Sequence, residues 1–366
     1  MRHRGFLVAP LVFLAALPNA WAGAGDRALE ADLSAHYPLA LQTALPAARA
    51  GDFLAQFVVG GLYESGLGGT LNRRIGDLWV QKAIAQATPA AMVHNDPRGQ
   101  YVLGRVYCDG YVLGEDFAKC AAWNRKAAAQ GYAPAMVILA GLMRRGWGVP
   151  KDDLKASQLY LVAAKKGLPI AQYQLARRFR YGDGAPLEPK LALGWMRHAA
   201  EQGYAPAQFE TADMEDRGEA GPADHAAAAA WYRKAAEQGD GDAMAALGDM
   251  YDAGRGVPAD PAVALMWIRK SADEKGMALG QYYLGRLYEK GRGVPADMNE
   301  AAKWYRMAAD RNYPDAQYAV GLMSYEGRGA FQDWNEAAKW LRKADANGQP
   351  QAKELLKKIE AQTAAH

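Results

Sequence analysis

The sequence predicts an all-α fold, a solenoid of stacked helical hairpins, and three observations carry that prediction. Residues that stop a helix recur at Gly131, Gly167, Gly203, Gly239, Gly276, Asn312 and Gly348, spaced 36 or 37 apart throughout. A large aromatic keeps step with them at Trp123, Tyr160, Trp195, Trp231, Trp267, Trp304 and Trp340. One period, DGDAMAALGDMYDAGRGVPADPAVALMWIRKSADEKG at 240–276, reads as a complete helix–turn–helix. A hairpin this short cannot bury its own apolar face, so it must stack on copies of itself.

Within that period, Ala243, Leu247 and Tyr251 recur every four residues and mark one face of a first helix. Gly254, Gly256 and Pro258 break the chain, and Asp260 followed by Pro261 starts a second helix. Ala264, Trp267, Ile268 and Ala272 stripe the second helix before Gly276 ends it.

From the amino terminus, residues 1–22 read as a signal peptide. Arg2 and Arg4 are followed by an apolar core from Gly5 to Leu17 and the small-x-small site Ala20-Trp21-Ala22. Residues 23–50 hold a helical stretch (Leu29, Leu33, Leu41, Leu45) expected to form an amino-terminal capping helix. Eight repeats are expected over 51–348. The first overruns its stop through TPAAMVHND, so 88–96 is expected to be a surface loop. The Lys/Glu-rich remainder, 349–366, reads as a polar carboxy-terminal capping helix.

At 366 residues a chain ordinarily folds as about two globular domains, but a solenoid grows by stacking, so length sets no such limit here. The formal charge is +3 with no basic block, which argues against nucleic acid and anionic membrane surfaces as partners. After the leader no run reaches the roughly 18 apolar residues of a membrane span, so membrane insertion is not expected. The expected location is periplasmic or secreted.

The pattern A-x3-LG-x2-Y-x2-G-x-GV-x2-D-x3-A-x2-W-x2-KAA-x2-G is seen best in AMAALGDMYDAGRGVPADPAVALMWIRKSADEKG and GQYYLGRLYEKGRGVPADMNEAAKWYRMAADRN. It resembles the Sel-1-like repeat family, relatives of the tetratricopeptide repeats, over about residues 51–348. The resemblance implies a right-handed α-α superhelix that binds other proteins, with exported members acting as envelope adaptors, signalling regulators, virulence-linked binders and periplasmic immunity proteins. Repeats four and five depart from it, with GDGAPLEP and GEAGPAD in place of the GV turn, and repeat three has Tyr160 in the Trp place.

Two cysteines are present. Cys108 falls near the end of one first helix and Cys120 near the start of the following second helix, ends that antiparallel packing brings together. In an exported chain a Cys108–Cys120 disulfide is expected, with two free thiols as the alternative that the spacing leaves open. No catalytic or metal constellation emerges: the histidines after the leader (His36, His94, His198, His225, His366) are scattered, and neither G-x-S-x-G nor S-x-x-K occurs. GWGVP at 146 and GRGVP at 254 and 291 recur at the repeat period, which makes them turns rather than phosphate cradles. No cofactor is expected.

Surface recognition is what is left. Counting from the alanine that opens each first helix, positions two, six and nine lie about opposite the Ala/Leu/Tyr stripe at 100° per residue. They are expected to face a concave groove holding a helix or loop of a protein partner. Row two is aromatic-rich (Phe57, Tyr101, Tyr173, Phe209, Tyr282, Tyr318). Row six supplies Arg105, Arg177, Asp213, Asp249 and Arg286, and row nine Arg144, Arg180, Asp216 and Asp252. Arginines thus fall in repeats two to four and aspartates in five and six, a polarity that would orient a partner. The same rows also fit packing between neighbours and an ordinary solvated face. Trp147 is a further candidate contact. The expected function is a non-enzymatic protein-binding scaffold, with a weak cell-wall or β-lactam hydrolase as the alternative.

Overall fold

The computed structural model describes residues 23–33, 36–329 and 332–364, and among these every regular element is helical. The signal-peptide expectation for 1–22 lies outside the described residues. The chain divides into two compact units, one ending at Tyr204 and the other beginning at Ala205. Unit one contains α1 (Ala24–Leu33), α2 (Tyr37–Arg49), α3 (Phe53–Ser65), α4 (Arg73–Met92), α5 (Pro97–Asp109), α6 (Phe117–Ala129), α7 (Ala133–Arg145), α8 (Asp153–Lys165), α9 (Pro169–Tyr181) and α10 (Pro189–Glu201). Unit two contains α11 (Ala205–Arg217), α12 (His225–Glu237), α13 (Gly241–Ala253), α14 (Pro261–Arg269), α15 (Ala278–Lys290), α16 (Met298–Asp310), α17 (Pro314–Glu326), α18 (Trp334–Ala346) and α19 (Pro350–Ala364). Within each unit every helix packs on the next in sequence.

Local chemistry sets the hairpin. Second helices open on aspartates whose carboxylates accept from backbone N–H groups two or three residues ahead, as at Asp116, Asp152, Asp260 and Asp333. First helices close on a left-handed glycine such as Gly254 (φ 67°). The second glycine of the turn has a different reason. A Cβ on Gly256 would lie 2.1 Å from the carbonyl oxygen of His225 in the preceding repeat, so the turn seats directly on its neighbour's backbone. The stripe then interlocks: Ala243, Leu247 and Met250 of α13 pack with Ala228, Tyr232 and Ala235 of α12 in one buried cluster.

Glutamines tie the repeats at a constant interval. Gln130, Gln202 and Gln238 each donate to the glutamine 30 residues earlier (Gln100, Gln172, Gln208) at 2.7–2.9 Å. Gln172 and Gln317 also donate back to carbonyls of the preceding second helix, Ala164 and Ala309. A buried amide satisfied on both sides fixes register as well as energy.

Three details differ from the sequence-based expectation or refine it. Residues 23–50 form two helices, not one. The expected loop at 88–96 is helical as far as Met92, because Ala83, Ala87 and Ala91 continue the buried four-residue stripe of α4 past the usual stop, through Pro89. The longer spacing before Gly276 is taken up by a π turn at Lys270–Glu274 that extends α14, the usual way a helix absorbs one inserted residue. Cys108 and Cys120 are joined by a disulfide, their Cα atoms 5.2 Å apart, across the facing ends of α5 and α6. No helix of the described residues is long and apolar enough to cross a membrane.

Candidate functional site

In unit two the first-helix rows converge at the carboxy-terminal end. Tyr282 and Arg286 of α15, Tyr318 and Leu322 of α17, and Gln349 and Gln351 at the start of α19 line a cleft of about 440 Å³. A smaller hollow of about 280 Å³ continues along it, adding Tyr325, Glu354 and Lys358. The predicted residues Tyr282 and Arg286 therefore share one site, and α19 supplies a wall that row counting over the repeats missed. Tyr282 stacks on Tyr305 and Tyr313, with centroids 5.6 and 5.3 Å away. The Tyr305 hydroxyl donates to Glu289 at 2.6 Å, so the aromatic lining is held rigidly.

The charges of unit two are already answered from within. Asp216 meets Arg255 at 3.2 Å and His225 at 2.8 Å; Asp252 meets Arg292 at 2.6 Å; Glu289 meets Arg328 at 3.1 Å. Each arginine sits between the turn glycines of the following repeat and reaches back 39 or 40 residues to row nine. Asp249 is bridged by Arg286 and Arg255, at 3.1 and 3.5 Å, and Asp213 pairs with Arg217 at 2.7 Å. Phe209 packs on Tyr232. Asp216, Asp249 and Asp252 of the acidic stretch expected to face a partner are thus consumed in a ladder between repeats, Asp213 is paired within α11, and Asp249 and Asp252 are buried. Their partners Arg255 and Arg292 escaped the row analysis because they lie in turns. The constant separation was the available signal.

In unit one the face is partly covered by α1. This helix packs against α3, buries Ala28 and Leu29, and sets Asp26 3.8 Å from Arg98 at the start of α5. Asp32 faces Arg105; burial pushes its carboxyl up to about 6, with Arg105 opposing the shift and Asp109 adding to it. Arg105 also pairs with Asp109 at 2.8 Å and donates to the Tyr101 hydroxyl at 3.2 Å. Tyr101 is 0% exposed, wedged between Phe57 and Tyr132, and cannot touch a partner as the row argument expected. Both rings come from outside α5, so the periodicity of α5 alone does not contain them. Arg180 is buried as well, whereas Arg177 is exposed and stacks on Tyr173 and Tyr181. Tyr173 packs on Tyr204. Arg144 is partly buried, with no hydrogen-bonded partner at its Nε. Trp147 is 42% exposed, stacked on Phe117 at 4.8 Å and beneath Arg145.

Comparison with known proteins agrees with this architecture. The Sel1 repeat profile matches seven consecutive segments, 97–132, 133–168, 169–204, 205–240, 241–275, 278–313 and 314–348. The α3–α4 hairpin, counted above as repeat one, is not among them. No curated protein matches the chain. A protective antigen present in uropathogenic Escherichia coli strains, described as displaying an SLR fold, is 29% identical with a TM-score of 0.68, over 93% of this chain and 74% of that one. A Sel1 repeat protein from Oxalobacter formigenes is 28% identical with a TM-score of 0.57, over 96% of this chain and 98% of that one. With seven tandem matches across most of its length, the chain belongs to the Sel1 repeat family.

Proposed function

We propose that this protein is a non-enzymatic scaffold of an oxidising extracytoplasmic compartment, most simply a bacterial periplasm, that binds a segment of another protein on its first-helix face. The observation that carries the reading is the tyrosine-lined cleft between α15, α17 and α19. Rigid aromatic side chains with polar tips supply large contact area at small entropic cost, the composition of interface hot spots. Gln351 at its edge adds a side-chain amide that can pair with an extended backbone. The Cys108–Cys120 bridge supports export, since such bonds persist where thiols are oxidised. Adaptor, regulator and immunity protein are the roles the family resemblance implies, and the identity of the partner selects among them.

Affinity capture from an envelope extract tests the reading. Wild-type protein is expected to retain a partner that Tyr318→Ala and Leu322→Asp variants lose together. Equal capture by all three removes the cleft from the interface. Turnover of a cell-wall or β-lactam substrate by the purified chain, abolished by one substitution, replaces the scaffold reading with the enzymatic one.

A further inference from the structure

Row nine follows a rule in unit two: its charged residue pairs with the residue between the turn glycines of the next repeat. At Arg144 the rule fails. The residue 39 positions on is Asp183, of the correct sign, but Asp183 is taken by Arg178 at 3.4 Å. Arg178 stands where the other repeats carry Val106, Leu142, Met214, Met250, Leu287 and Met323. It is 3% exposed, and it also pairs with Asp153 at 3.0 Å and donates to the Ser157 hydroxyl at 2.7 Å. A charged residue has replaced a core one and captured the neighbouring rung's partner. Arg144 is left with no ion pair or hydrogen bond among the described residues, its Nε out of water and without an acceptor.

The surroundings leave room for a ligand. Gly141, one turn earlier on the same face, occupies a row-six position held by arginine or aspartate in the neighbouring repeats. A Cβ there would meet only the Tyr160 hydroxyl, at 3.8 Å. That hydroxyl lies within electrostatic reach of Arg144, Arg178 and Arg145 and offers a further donor. The chain also shows which chemistry answers an arginine on this face: in repeat two, Arg105 pairs with the Asp109 carboxylate at 2.8 Å and lies within electrostatic reach of a second, Asp32 of α1.

We propose that Arg144 is an open rung that receives a carboxylate side chain from the bound segment, through the notch at Gly141, so that the partner presents an acidic residue there. The Nη1 and Nη2 groups of Arg144 are not among its buried atoms and, with no internal acceptor, suit a carboxylate engaging two N–H groups at once. The proposal rests on the scaffold reading, yet it concerns unit one and is tested apart from the cleft.

Calorimetric titration of the full chain with acetyl-tetraglutamate amide is the test, with the tetraglutamine peptide as control. Saturable binding of tetraglutamate alone is expected, weakened at least tenfold by Arg144→Gln and within twofold of wild type for Arg125→Gln on the exposed side of α6. Arg178→Met releases Asp183 to close the rung and is expected to weaken binding severalfold while the protein stays folded by circular dichroism. Absence of binding, equal binding of tetraglutamine, or a twofold or smaller effect of Arg144→Gln overturns the proposal. Undiminished binding by Arg178→Met overturns the pairing argument on which it stands. Partner capture that still depends on Tyr318 and Leu322 would keep the scaffold reading alive in any of those cases.

Discussion

Asp216, Asp252 and Glu289 in unit two each meet an arginine from the following turn, whereas Arg144, at the same register in unit one, meets none. The turns differ in kind as well. Those of unit two carry Arg255, Arg292 and Arg328, while those of unit one carry Leu67, Val112, Leu113, Trp147 and Leu187, all at least 42% exposed. Unit two closes its repeats with ion pairs and opens a cleft at one end. Unit one closes repeat two with a disulfide, covers part of its face with α1 and leaves apolar side chains at the turns. One hairpin can thus be locked to its neighbour by different chemistries, and the choice decides which surface stays available.

Breaking one lock in each unit sharpens the contrast. Arg292→Ala leaves Asp252, 5% exposed, as a buried carboxylate without its partner. A loss of about 3 kcal/mol is expected in urea unfolding, with faster amide exchange confined to unit two. Replacing Cys108 and Cys120 together by serine should cost about 2–3 kcal/mol through the longer reach of the unfolded chain, with faster exchange confined to unit one.

A smaller effect should come from Val112. It takes the place of the second turn glycine at φ 62°, and the Leu113 N–H donates back to the Tyr111 carbonyl across it. A β-branched side chain in that region is strained, so Val112→Gly is expected to stabilise by about 1 kcal/mol in the same unfolding assay. The last effect is one of pH. Burial pushes the Asp32 carboxyl up to about 6 from the usual 3.8 of an aspartate, so the native state holds its proton more tightly than the unfolded chain does. Stability contributed by this group is full below about pH 4 and falls as pH rises to about 6. Asp32→Asn should flatten that part of the profile in thermal melts followed from pH 4 to 7.

Much of this was legible from residue spacing. Helix starts at Asp–Pro and Asp–X, stops at glycine, the repeat length and the facing of Cys108 and Cys120 are all properties of one hairpin, and a hairpin is local. Row counting also placed Tyr282 and Arg286 on a shared face. It failed for Tyr101, Asp249 and Asp252, because burial there comes from rings and arginines of other helices and turns, contacts that no single-helix wheel contains. It could not separate Arg144 from Arg180 either, since both are arginines at the same register.

The sequence by itself therefore determined the unit of construction. A period of 36, an apolar stripe too narrow to fold alone and glycines at fixed stops permit little besides stacked helical pairs. Tertiary structure decided which charges are spent inside the protein and which remain for a partner. An ion pair depends on distance, and the packed helices bring Asp183 to 3.4 Å from the guanidinium of Arg178 and leave Arg144 out of its reach.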